Sequence, residues 1–147
     1  VSGFNTPIIA IRSKTLIGAL QNTRDTLALL ASVYGDQRCV FRVWATRDFT
    51  AITEGTQVWE DFGDGHLEYI AYKVSPDIST PMTFDDTKAR LIFTCRVNQD
   101  ETYSTSALFE GRTDIFLTPS DMFVFTMHRE TGGASNVGVT FEFAEEI

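Results

Sequence analysis

Met122-Phe123-Val124-Phe125-Thr126-Met127-His128-Arg129 is the stretch on which the fold turns. Read with a period of two, Phe123, Phe125 and Met127 fall on one side, and Met122, Val124 and Thr126 on the other. Both sides are apolar or nearly so. Val139-Thr140-Phe141-Glu142-Phe143 gives the simpler, half-buried form: apolar residues on one face, Thr140 and Glu142 on the other. Further strand patterns lie at 8–12, 26–33, 38–45, 56–61, 67–73, 89–97, 102–108 and 114–117. They are filled with the β-branched and aromatic residues that pleated surfaces favour.

Turn chemistry punctuates these runs. Gly35-Asp36-Gln37, Gly63-Asp64-Gly65, Asn98-Gln99-Asp100-Glu101, Thr118-Pro119-Ser120-Asp121 and residues 131–136 supply Gly, Pro, Asn and Asp where tight turns need them. Short strands with turn signals every ten to twenty residues predict an all-β, antiparallel β-sandwich of about 8–10 strands, jelly-roll-like, in one domain over 1–147. Asp85–Ala89 is expected to make a single helical turn, and residues 13–21 a short helical or irregular excursion. Residues 75–88, with Pro76 and Pro81, read as a long surface crossover.

The chain has 147 residues, 43% hydrophobic and 22% charged, which suits a globular core and not a disordered chain. It starts at Val1, as a processed chain or a piece of a longer one would. Residues 1–15 lack the basic start and apolar block of a secretory signal. The longest apolar stretch, 27–34, is far short of the roughly 20 residues of a membrane helix, so no membrane partner is expected. The formal charge is −8, and the twelve Lys and Arg occur without two in a row. Nucleic-acid binders draw affinity from clustered cations that neutralise phosphates, so no nucleic-acid partner is expected, a small local patch apart.

Each residue that could carry chemistry also fits a plain structural role. Cys39 and Cys95 sit in apolar strand runs without metal-ligand spacing and read as small buried hydrophobes. His66 lies near Asp61, Asp64 and Glu68, yet the segment lacks calcium-loop spacing and reads as a polar hairpin. His128 ends a strand with no activated serine in any nucleophile elbow. Asp85-Asp86 and Glu145-Glu146 read as solvated charge, since glycosidase work needs two carboxyls converging on one bond. Gly132-Gly133 lacks the strand-to-helix setting of a phosphate cradle. The expectation is therefore no enzyme, no catalytic residue, no metal and no cofactor.

The doubly apolar strands are the informative feature. A sandwich buries one side of each sheet, so apolar outer faces call for a cover, either another subunit or a neighbouring element. The subunit reading assigns Tyr69, Tyr72, Phe123, Phe125, Phe141 and Phe143 to a contact between copies, some of them serving the core instead.

Pro7-Ile-Ile-Ala-Ile-Arg12-Ser-Lys, Leu27-Ala-Leu-Leu-Ala-Ser-Val33 and Cys39-Val-Phe-Arg-Val43, with Glu110-Gly-Arg-Thr-Asp114-Ile-Phe-Leu117-Thr-Pro-Ser-Asp121 before the last strands, resemble virion structural proteins of tailed bacteriophages. Ser120 departs from the pattern, where glycine is commoner. The ending is also similar to that of trimeric jelly-roll modules of the tumour-necrosis-factor and complement type. The resemblance implies a non-enzymatic domain of capsid-decoration, fibre or tail-associated type, located in the virion. Its partners would be itself (a homo-oligomer, trimer favoured), other virion proteins and, as a further candidate, a host surface glycan. The alternative is a carbohydrate- or receptor-binding, lectin-like module, for which Trp44, Trp59, Tyr103 and Asn98 are the available platform.

Overall fold

The computed structural model describes residues 6–14, 16–17, 20–21, 26–35, 37–61, 67–73, 76–98, 100–105, 116–117, 121–129 and 137–145, with backbone alone for 16–17, 20–21, 26–32, 103–105, 116–117, 129 and 137–145. Its strands are β1 (Thr6–Ser13), β2 (Leu16–Ile17), β3 (Leu20–Gln21), β4 (Thr26–Gly35), β5 (Cys39–Thr46), β6 (Ile52–Thr53), β7 (Glu60–Asp61), β8 (Leu67–Ala71), β9 (Thr83–Phe84), β10 (Arg90–Val97), β11 (Glu101–Thr105), β12 (Phe116–Leu117), β13 (Met122–Arg129) and β14 (Val137–Glu145). The fold is all-β and every ladder is antiparallel.

The main sheet has six strands in the order β10-β5-β13-β1-β8-β7. Its centre is the opening stretch, β13, between β1 and β5: Phe123 stands between Ile11 and Ala45, and Phe125 between Ile9 and Val43. On this inner face Ile11, Val43, Leu67, Phe123 and Phe125 form one buried cluster. Each large side chain removed from water here contributes about 1.5–3 kcal/mol. In the second sheet β4 is central, with β14 along its whole length on one side and β11 and β12 sharing the other. Val33 of β4 joins Cys39, Phe41, Cys95 and Val97 of the main sheet in a buried cluster, which makes the pair of sheets sandwich-like. Both cysteines are buried thiols.

Two tight connections link the sheets. The passage from β4 to β5 needs Gly35, because a Cβ there would stand 2.6 Å from the Cys39 sulfur. The Asn98–Glu101 turn leads from β10 to β11. Its Asp100 takes a left-handed φ of 57°, a conformation that Asp tolerates, and donates its N–H to the Gly35 carbonyl at 3.0 Å.

Three local expectations change. Leu16–Ile17 and Leu20–Gln21 pair as β2 and β3 within the stretch expected to be a helical or irregular excursion. Only Glu60 and Asp61 of the 56–61 run are strand, because Gln57 turns inward as a staple. Its amide N–H donates to the Ala71 carbonyl, while its amide oxygen accepts from Lys73 N–H at 3.3 Å and Met82 N–H at 3.2 Å. Residues 76–88 are more than a surface crossover: Met82 is 1% exposed, and Thr83–Phe84 pairs with Ile52–Thr53. The turn expected at 85–89 is present as a 3-10 turn, Asp86–Lys88. A second, Phe49–Ala51, gave no sequence signal.

Gly55 fixes how these two excursions fit together. It has φ of 66°, and a Cβ there would run into the Thr80 carbonyl oxygen. Gly55→Ala should therefore destabilise the protein by about 1–3 kcal/mol through backbone strain and overpacking, read as a lower midpoint in urea. An unchanged midpoint would show that the two excursions do not need this close approach.

Candidate functional surface

The outer face of the main sheet holds the most elaborate arrangement of polar and aromatic side chains. Ala10, Ile70, Met122 and Val124 project from it and would meet water in a bare sandwich. Instead the excursions at 47–61 and 76–88 fold over them, adding Ala51, Ile52 and Met82, with Trp44, Phe49, Trp59 and Phe84 packed around the edge. The second apolar side of β13 is thus closed by the chain's own cover, one of the two solutions that the sequence allowed.

Arg12 pins this cover. Its guanidinium lies 3.9 Å from the Trp59 ring centroid and 5.2 Å from that of Phe49, and its Nε donates to Glu68 at 2.6 Å. Cation–π contacts of this kind are worth about 0.5–2 kcal/mol, more when desolvated. Trp59 donates to Glu54 at 3.1 Å, and Trp44 donates to the buried Thr126 hydroxyl at 3.0 Å while meeting Phe84 edge-on. The Thr46 hydroxyl donates to the Lys88 carbonyl at 2.6 Å and accepts from Asp48 N–H at 2.9 Å.

The two 3-10 turns are built alike. Asp48 accepts from the Thr50 N–H and hydroxyl, and Asp85 does the same with Thr87. These bonds hold both carboxyls below the usual carboxylate range, with Lys88 adding a smaller attraction. At the β7 edge, the Tyr69 hydroxyl donates to Glu60 at 2.8 Å, which raises the tyrosine above its ordinary value. Lys14 pairs with Asp61 at 2.9 Å.

The residues expected at a contact between copies are dispersed. Phe123 is 3% exposed and Phe125 1%, so both serve the core, placed there by their register with β1 and β5. Tyr69 is half-buried against the inner cluster. Tyr72 is 37% exposed, just past β8, with its N–H on the Ile8 carbonyl. Phe141 stands opposite Ala31 and Phe143 opposite Ala28; their side chains lie outside the description.

The other candidates are no closer together. Asp64, His66, Gly132, Gly133 and Glu146 lie outside the described residues. Asp85 and Asp86 are exposed, and Asp85 is a turn cap. His128 is on β13 opposite Val40. Of the lectin platform, Trp44 and Trp59 are committed to the cover, Asn98 bonds Glu101 in the β10–β11 turn, and Tyr103 stands opposite Val33. Among the described residues no three His, Cys, Asp or Glu gather as metal ligands, and no helix is long and apolar enough to cross a membrane. Sequence reading missed Arg12, Phe49 and Gln57. Arg12 alone carried a signal, as a cation inside an apolar strand run.

Arg12→Leu keeps the stem but removes the cation. It should loosen the cover at a cost of about 1–3 kcal/mol and shift Trp59 fluorescence to the red. An unmoved spectrum and melting point would show that the cover holds without it. The lowered carboxyls of Asp48 and Asp85 contribute stability that is present above the ordinary carboxylate range and lost as pH falls through their folded values. Melting temperature should therefore drop as pH falls below about 4, and the drop should be shallower in Asp48→Asn/Asp85→Asn. Equal slopes for variant and parent would overturn this. No family model, no curated protein and no solved structure matches the chain.

Proposed function

We propose that the chain is a non-enzymatic structural domain of a tailed-phage virion, of capsid-decoration, fibre or tail-associated type, working as a homo-oligomer among other virion proteins. The observation that carries this reading is how the polar side chains are used. Asp48 and Asp85 cap turns, Glu68 holds Arg12, Glu60 holds Tyr69, and Gln57 and Thr46 tie segments across the cover. Burial pushes the Cys95 thiol up to about 11, with Cys39 adding to the effect, so it stays protonated and unreactive near neutral pH. Among the described residues these polar groups are placed as fasteners, which suits a domain whose task is to keep its shape.

The resemblance of residues 7–14, 27–33, 39–43 and 110–121 to phage virion proteins supplies the setting. The lectin-like alternative loses support, because Trp44 and Trp59 spend their faces on the cover. With Phe123 and Phe125 inside the protomer, contact between copies falls to the outer surface, where Tyr72 and Leu91 are exposed by 37% and 45%. Sedimentation equilibrium should show a defined oligomer at micromolar concentration. A strict monomer up to about 100 μM, a range where even weak specific contacts register, would overturn the reading.

A further inference from the structure

The six-stranded sheet ends in two strands of opposite kind. β7 is two residues long, Glu60 and Asp61, and both side chains are tied down. Glu60 accepts from the Tyr69 hydroxyl, and Asp61 pairs with Lys14. Short length and charge are devices by which a sheet edge avoids pairing with another chain. β10, at the other end, is eight residues long and contains no Lys, Pro, Asp or Glu. Among the described residues it pairs with β5 alone, and no further backbone hydrogen bond reaches Leu91–Cys95. Residues along an antiparallel edge strand point their backbone groups alternately towards the neighbour and away from it. Half of β10 therefore offers N–H and C=O groups outward, as a template for one more strand.

One guard is present on this edge. The ladder with β5 shifts between Leu91 and Phe93, a bulge that bends the first part of the strand. The regular part is Phe93–Val97. Phe93, Cys95 and Val97 turn inward to the cluster shared with Val33, and Thr94 and Arg96 are exposed on the other side. Arg96 has an interaction within the chain, so the edge offers its backbone rather than a free charge.

We propose that this edge binds itself: the β10 strands of two copies pair antiparallel about a two-fold axis that runs through Thr94, normal to the sheet, and the two main sheets become one. Such an axis keeps interior faces on the same side and sets each Thr94 opposite its copy, with Phe93 opposite Cys95. It also keeps the two Arg96 side chains apart, whereas an axis through Cys95 would make them diagonal neighbours. A second copy is the occupant that fits, because two equal edges match in length and twist, and a two-fold closes both in one step. A neighbour's β7 is too short to cover β10. Leu91, 45% exposed beside the bulge, falls at the rim of the contact. The inference rests on the homo-oligomer reading above and gives it an edge and a symmetry, a two-fold in place of the three-fold expected from sequence.

Paired charges at the axis test it. Thr94→Lys and Thr94→Glu are prepared separately, each checked for a cooperative thermal melt, and studied by sedimentation equilibrium. The parent chain should be a dimer at micromolar concentration, with amides of Phe93–Val97 whose hydrogen exchange speeds up on dilution as the dimer dissociates. Each variant alone sets like charges opposite one another and should dimerise at least about tenfold more weakly. An equimolar mixture should regain the dimer, because Lys then faces Glu across the axis. Val58→Lys, at a site 71% exposed beside the β7 edge, should dimerise like the parent. Several results overturn this edge and leave the oligomer reading standing: an unchanged dimer in folded Thr94→Lys, a mixture no tighter than its components, exchange in β10 that ignores concentration, or growth into filaments, which marks unlike edges meeting. A parent chain that stays monomeric up to about 100 μM overturns both.

Discussion

A strand that is apolar on both sides cannot stop at one layer of neighbours. β13 lies at the centre of the main sheet, and each of its faces must be dried if the sheet is to persist. The inner face is dried by the pair of sheets and the outer one by the excursions at 47–61 and 76–88. Much of the remaining architecture follows from that second requirement. Arg12 bridges sheet and cover, Gln57 satisfies backbone groups of Ala71, Lys73 and Met82 at once, and Gly55 lets two loops approach within backbone contact. A polar group buried at such a junction without a partner would cost about 1–3 kcal/mol, so the staples are conditions of the cover rather than additions to it.

Much of the fold was legible in the sequence. Period-two runs marked the strands that became β1, β4, β5, β8, β10, β13 and β14, because alternation is a local property of the chain. The cover was not legible, for two physical reasons. It is built from single turns and two-residue strands, too short to repeat, so 75–88 shows no period, and 56–61 shows a false one that Gln57 interrupts. Its partners lie on β1 and β13, far away along the chain, as well as on the nearby β8. The sequence did pose the question that the cover answers, since Met122 and Val124 needed something above them. What it could not say was whether that something came from the same molecule.

The candidate surface shows the same division. Tyr72 was named from its aromatic character and is exposed. Phe123 and Phe125 were named for the same reason, but register encloses them between β1 and β5.

That strand order also bears on how the molecule is made. β1 is flanked by β13, with Ile11 opposite Phe123, so the first long strand waits for residues more than a hundred positions downstream before its central pairing can form. Closing so large a loop is entropically costly, and folds governed by such pairings reach the native state in milliseconds to seconds rather than microseconds. A nascent chain would leave the ribosome with Pro7–Arg12 still unpaired on that side, and with the β13-facing edge of β5 unpaired as well. When β13 arrives, Met122 and Val124 complete the outer face on which the cover settles, which makes the finished cover a late step of maturation and the preceding species the one most in need of protection from aggregation.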